Sequence, residues 1–408
     1  MSASTIATKI SGLKNSFKHL SQIFVIIAAF ALPLSTAVLE VFFIASVMCC
    51  ILAGDWKKHA EVLRTNRMAL MFLVFFALFI VCISYSVASW SEELYILSKY
   101  SKFLLGFFLF SVFSDEKTRY YAFFSFLCAA TLTLLLSYLK FFGWDILHRF
   151  SGDSGVFKDH IFTGFLLAFT SYAYALLAFS NKKWRLVFTV LFLLASFNVL
   201  FINLGRSGYV VFFSLLLLLS WQKFSWKGFS VAVLLSIFLL GGTLLLPSNF
   251  KDRFFTVHKE IQQYDKGKED TSTGLRLSFY KNSLQLFFKH PWIGTGTGSF
   301  AKAYASVAKE NEWLTKNPHN EYLNIAVQFG LLGLIVLLAL FISHWQQSFR
   351  LPWVAKNFAQ AVVVSIAVGC LFNSWLLDVT QGTFYVLFTA LLFSRASDNC
   401  LEFEQGIG

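Results

Sequence analysis

Four residues of this 408-residue chain have side chains fit for chemistry in settings that demand a use for them: Arg206, Arg276, His319 and Asp378. His319 lies in Asn317-Pro318-His319-Asn320-Glu321-Tyr322, where a long polar stretch meets an apolar run over residues 323–344. An imidazole, with an ordinary pKa near about 6.5, takes a proton from a hydroxyl at neutral pH, and a proline turn can fix its direction. A plainer role is compatible with this, in which Pro318-His319-Asn320 opens a helix capped by Asn317 or Asn320. Arg206 sits in Asn203-Leu204-Gly205-Arg206-Ser207-Gly208-Tyr209, a polar interruption between two apolar runs. Placing its charge at a membrane interface costs at least about 2.5–3.5 kcal/mol, so it needs an anionic partner, either a salt bridge or a ligand. The guanidinium fork suits two oxygens at once, as in a diphosphate. Arg276 falls on an amphipathic stretch, where it either faces solvent and headgroups or joins Arg206. Asp378 follows Asn373-Ser374-Trp375 and either ends a helix or holds an imidazolium or a hydroxyl. Asn320 and Tyr322 beside His319, together with His160 and Arg149, are further candidates for contacting a substrate.

Such groups need elements to position them, and composition says which kind. With 57% hydrophobic and only 14% charged residues, and a mean hydropathy of +0.63, the chain is an all-α, polytopic integral membrane protein. The fifty phenylalanines and eleven tryptophans suit lipid-facing surface and interface anchors. A net charge of +12 would suggest nucleic acid in a soluble protein; here it follows from basic cytoplasmic loops, and no nucleic acid is expected. About twelve transmembrane helices are expected, near 21–35, 37–54, 67–87, 99–113, 117–142, 161–180, 186–203, 207–221, 229–246, 322–343, 357–377 and 382–395. Lys57, Lys58, Arg64, Arg67, Lys117, Arg119, Lys182, Lys183, Arg185, Lys223, Lys227 and Arg350 then fall on one side, with both termini, and few basic residues on the other. Pro33 and Ser35 mark a turn between the first two helices. The basic start fits a retained anchor better than a signal peptide cleaved near Ala37. The layout divides into N-terminal helices (1–246), one large, mainly helical loop facing away from the cytoplasm (247–320) and C-terminal helices with a tail (321–408).

Within that loop one amphipathic helix is expected over residues 274–290, ended by Pro291, and a second over 300–314. Between them Gly294-Thr295-Gly296-Thr297-Gly298 resembles a phosphate-cradling loop, but no strand precedes it and no Lys-Ser/Thr follows, so it reads as a flexible connection. The six cysteines show no disulfide or zinc spacing, and no metal site is expected.

These residues carry a resemblance. Gly205-Arg206-Ser207-Gly208, Thr273-Gly274-Leu275-Arg276, Pro291-Trp292-Ile293-Gly294-Thr295-Gly296, Pro318-His319-Asn320-Glu321-Tyr322-Leu323 and Phe329-Gly330-Leu331-Leu332-Gly333-Leu334 look like the lipopolysaccharide O-antigen ligase family, within a wider group that includes O-antigen polymerases and O-linking oligosaccharyltransferases. The similarity is specific over residues 205–334. It implies transfer of a glycan from undecaprenyl diphosphate to the lipid A core at the periplasmic face of the bacterial inner membrane, with neither nucleotide nor metal. Arg206 and Arg276 would bind the diphosphate, His319 would deprotonate the acceptor hydroxyl, and Asp378 resembles a functional aspartate of the family. With no candidate for a covalent nucleophile, direct attack and inversion are expected. A single dominant late loop favours ligase over polymerase. In a transporter or flippase, the other class considered, Arg206 and His319 would line a path; no inverted repeat supports it.

Overall fold

The computed structural model describes residues 3–147, 153–245, 249–266, 270–309 and 313–394. Among them there are fifteen α-helices and no strand. In chain order they are α1 (Ala3–Ala31), α2 (Thr36–Ala53), α3 (Trp56–Thr65), α4 (Arg67–Val81), α5 (Trp90–Val112), α6 (Glu116–Phe141), α7 (His160–Ser180), α8 (Arg185–Phe197), α9 (Arg206–Leu245), α10 (Asn249–Asp265), α11 (Ser272–Lys289), α12 (Phe300–Ala305), α13 (Glu321–Ser348), α14 (Trp353–Gly369) and α15 (Val379–Phe393). The chain is a multi-pass, all-α membrane protein. Seven of the helices are long and apolar enough to cross a bilayer, eight if the pair α3 and α4, bent by 91°, counts as one span. This is fewer than the twelve expected, for physical reasons. The expected spans 207–221 and 229–246 run on as α9, broken at Ser225 (φ 56°), while α14 and α15, of 17 and 15 residues, are apolar but short.

The turn after α1 is where Pro33 and Ser35 put it, with the Ser35 hydroxyl accepting the Val38 N–H to start α2. Many phenylalanines point inward: Phe72, Phe75 and Phe79 of α4 and Phe103 and Phe110 of α5 are fully buried. They meet edge to face, with Phe75 and Phe103 centroids 4.8 Å apart, and extend to Phe329 of α13 and Tyr385 of α15. A packed aromatic core replaces much of the lipid-facing role expected for them, because close interhelical packing gains dispersion energy that lipid contact does not exceed.

The glycine-rich stretch is the element that departs most from expectation. It is a buried strap. Thr297 and Ser299 are fully buried, and Thr297 donates its N–H to Cys82 O (3.2 Å) and its hydroxyl to Phe79 O (2.6 Å). The strap mends a break in α13, where Gly330 takes φ 61°, ψ −151°. Leu331 N–H donates to Pro291 O (2.7 Å) and Leu332 N–H to Trp292 O (3.1 Å); in return Thr295 N–H and Gly296 N–H donate to Val327 O and Gln328 O at 3.1 and 2.8 Å. Irregular backbone inside a membrane protein persists only where other protein groups satisfy it, as here. A Cβ on Gly330 would stand 2.5 Å from the Trp292 carbonyl carbon, and one on Gly294 would stand 2.4 Å from that of Gln328, so neither position admits a side chain.

Of the two helices expected in the long loop, α11 matches closely, with Thr271 as its N-cap. The second is only α12, because hydrogen bonds tighten to Ser306 N–H → Ala303 O (3.1 Å) and Val307 N–H → Tyr304 O (3.1 Å) and the chain turns away. Phe279 and Leu286 seat α11 on Phe300, Ala303 and Tyr304 and on Val327 of α13. Leu284 and Phe288 remain exposed on its other face, as expected of a helix at a membrane surface.

Candidate functional site

Three of the four candidate side chains, Arg206, Arg276 and His319, meet along α11, and Asp378 reaches His319 through Asn373. Thr273, Arg276 and Tyr280 follow one another at helical spacing and so share a stripe. At one end of it the Thr273 hydroxyl accepts from Arg206 Nη1 (3.0 Å); at the other the Tyr280 hydroxyl donates to His319 O (3.1 Å) and Leu371 O (3.1 Å). Arg276 lies between them on the stripe and interacts electrostatically with both Arg206 and His319. Burial disfavours the Arg276 charge; Tyr280 and Glu260 favour it, and Arg206 opposes it. No ion pair with Arg276 occurs among the described residues. Arg206 also pairs with Glu260 of α10 (Nη1–Oε2 3.4 Å), which realises the salt-bridge alternative raised by the sequence.

Local sequence explains how Arg206 reaches that position. A π-helical turn, Asn198–Ile202, closes α8, and the Asn203 side chain accepts the Gly205 N–H (2.6 Å), so α9 starts at Arg206 itself. Gly208 presses on Gly164 of α7, where a Cβ would lie 2.8 Å from the Gly164 carbonyl carbon. The glycines of Gly-Arg-Ser-Gly therefore serve backbone contact, and the arginine is the group that projects.

His319 has φ 53°, a left-handed conformation unusual for a side-chain-bearing residue. Asn317 supports it by accepting the His319 N–H (2.9 Å) and the Ser374 hydroxyl (2.6 Å). The ring stacks on Phe279, centroids 6.2 Å apart, and its Nδ1 is 3.0 Å from Asn373 Oδ1. Asn373 Nδ2 donates to Asp378 Oδ2 at 3.0 Å. That carboxylate accepts only, so it sets which end of the Asn373 amide faces the histidine; the amide oxygen in turn sets the tautomer, with hydrogen on Nδ1 and a lone pair on Nε2. Asp378 thus acts on His319 through Asn373, not by contact. Burial lowers the His319 pKa, partly offset by the Asn373 bond and reinforced by Arg276, so the imidazole is neutral and basic at pH 7. Burial raises the Asp378 carboxyl to about 6, against the pull of Lys102, leaving it largely ionised at neutral pH.

The segment carrying Asn373 and Asp378 is held from two sides. Fully buried Glu321 accepts the Leu377 N–H (3.3 Å) and bonds the Tyr100 hydroxyl, while its own N–H donates to Cys370 O (2.8 Å). Lys102 of α5 donates to the carbonyls of Leu376, Leu377 and Asp378 at 3.1, 3.3 and 2.6 Å.

The remaining predicted residues lie outside this constellation. Asn320 caps α13 by accepting the Leu323 N–H and donates to Leu371 O; Tyr322 donates to Ala367 O (2.9 Å). Both side chains are engaged by the protein. His160 pairs with Asp153 (2.8 Å) at the start of α7, near Gly205 but without a bond to His319. Arg149 lies outside the described residues. Thr273, Tyr280, Glu260, Asn317, Asn373 and Lys102 were missed. The spacing of Thr273 and Tyr280 from Arg276 was a readable signal, while the contacts of Asn373 and Lys102 bridge distant parts of the chain and were not.

Residues 190–338 match the family described as O-antigen ligase. Over these 149 of its 408 residues the chain matches the O-antigen ligase family. The match spans Arg206, Arg276, His319, Asn320 and Tyr322 and ends before Asn373 and Asp378. No curated protein matches the chain. That similarity supports a glycosyltransferase family of the O-antigen ligase and polymerase type.

Proposed function

We propose that the protein transfers O-antigen glycan from undecaprenyl diphosphate to a sugar hydroxyl of the lipid A core, at the periplasmic face of the inner membrane. The convergence of two guanidiniums and one neutral imidazole along α11 carries this reading. The donor brings its own leaving group, so the protein must neutralise charge growing on the diphosphate and accept a proton from the attacking hydroxyl. His319 Nε2 takes that proton as the hydroxyl oxygen bonds to the anomeric carbon. The carbon–oxygen bond to the diphosphate breaks, its electron pair leaves with the phosphate, and Arg206 and Arg276 hold the resulting charge. Arg206 exchanges Glu260 for the donor on binding. Attack opposite the leaving group inverts the anomeric carbon. The cations are the protein's own, so transfer is expected to survive a chelator.

The test follows lipopolysaccharide banding and carrier-linked glycan together in a deletion strain complemented with wild type or His319→Ala. Loss of the whole ladder with polymer accumulating on the carrier, restored by wild type and not by His319→Ala, is the expected result. Core bearing a single repeat would reassign the protein as a polymerase; an intact ladder with unglycosylated proteins would make it an oligosaccharyltransferase. No glycan phenotype would favour a transporter.

A further inference from the structure

Behind His319, on its Asn373 side, lies a cavity of ≈ 600 Å³ where the α1–α2 turn and the starts of α7 and α15 meet. Its size falls within the range of about 300–1,000 Å³ of small-molecule sites. Three observations make it a built site. Gln381 lines it, is only 6% exposed, and its amide has no hydrogen-bond partner among the described residues. The amide atoms themselves are not fully buried, so they face the open space, where the hydroxyls of a ligand can bond them. Lys158, also buried, donates to Leu32 O (2.9 Å) and Thr380 Oγ1 (3.0 Å), tying the three helix ends around the space, and its amine lies 4.6 Å from the Phe162 ring centroid. Asp378 does not cap its own helix, which leaves the first N–H groups of α15 without a side-chain acceptor at the cavity.

The lining decides the class of ligand. An anion would meet the carboxylates of Asp159 and Asp378; a cation would meet Lys158. A neutral, hydroxyl-rich ring satisfies both signs, because each hydroxyl donates to a carboxylate and accepts from an ammonium or amide. Nδ1 of His319 faces Asn373, so Nε2 points away from the cavity, and the ring held there is not the one that reacts.

Resting on the transfer reading above, we infer that this cavity is a remote subsite for a neutral sugar, a neighbour of the reacting ring in one of the two oligosaccharide substrates. Asn373 borders both the subsite and the imidazole, and Asp378 borders the subsite and bonds Asn373, so an occupied subsite sits directly against the residues that orient the base.

The experiment uses the full-length protein in nanodiscs, with two probes: core oligosaccharide freed from lipid A, and free O-antigen oligosaccharide without its lipid carrier. Binding to wild type and to Gln381→Leu is measured by calorimetry, with melting temperature as the folding control. Gln381→Leu should weaken one probe about tenfold, the loss expected for one or two neutral hydrogen bonds. Weakened core binding assigns the subsite to the acceptor, and weakened O-antigen binding assigns it to the donor. In turnover by wild type, the bound free oligosaccharide should compete with its own parent substrate only. Unchanged binding of both probes in a folded variant, or no competition by either, overturns the inference. Binding lost in the variant while wild type transfers no glycan overturns the transfer reading and leaves the subsite standing.

Discussion

Replacing Asn373 with leucine tests the relay behind His319. The substitution keeps the number and branching of side-chain heavy atoms, though leucine is bulkier, and removes both the acceptor 3.0 Å from Nδ1 and the donor 3.0 Å from Asp378 Oδ2. A neutral hydrogen bond contributes about 0.5–1.5 kcal/mol, so kcat should fall about 2- to 13-fold, far less than the roughly 10²–10⁴-fold expected when the base is deleted in His319→Ala. The pH dependence provides a second, independent readout. Burial already holds the His319 pKa below its ordinary value, and the Asn373 bond favours the charged ring. The base works when neutral, so activity is lost as pH falls through its pKa. Removing the bond lowers that pKa further, so the acid limb of the kcat/KM profile should move to lower pH. Transfer from purified lipid-linked donor, measured between pH 5 and 8, reads both quantities. A fall in kcat with an unmoved acid limb, or a limb that moves upward, would refute the relay and make Asn373 a merely structural residue.

Three other substitutions probe the rest of the site. Arg276→Lys keeps the charge and loses the fork; with charge-assisted bonds worth about 1.5–3 kcal/mol, kcat/KM for the donor should drop about 10- to 150-fold. Glu260→Gln removes the internal partner of Arg206; that pair is partly exposed, at 29% and 14%, and such pairs contribute about 0.2–1 kcal/mol, so the donor KM should fall by up to about fivefold. Gly330→Ala forces a side chain into a glycine-only conformation against Trp292, at a cost of at least about 1–3 kcal/mol, and should lower the melting temperature in detergent.

The parts of the site that were legible in the sequence are those fixed by local chemistry. His319 stood out because a proline turn precedes an apolar run, Arg206 because a charge interrupts one, and α11 because its apolar residues recur at helical spacing. Gln328 Oε1 accepting the Gly298 N–H, or Lys102 gathering three carbonyls from the far end of the chain, depend on helix pairing that no local pattern encodes. The glycine stretch was misread for the same reason. Alternating glycines look flexible in isolation, and only the broken backbone of α13 reveals that their positive φ angles serve close packing. Asp378 was identified without its intermediary, since an aspartate near a helix end says nothing about which amide stands between it and an imidazole.

The seam between the strap and α13 also bears on how the molecule can be taken apart. Residues 291–298 satisfy backbone groups that belong to a membrane helix, and that helix satisfies theirs. The long loop is therefore not a detachable module: a soluble fragment carrying α10 to α12 alone would leave the strap's N–H groups without acceptors and α11 without the Val327 side of its seat. The arginine it carries is held in register by the same helix that His319 precedes. Positional coupling between the arginine-bearing and histidine-bearing halves of the site is in this way built into the membrane core, and a chimera that exchanged the loop between relatives would have to exchange α13 with it.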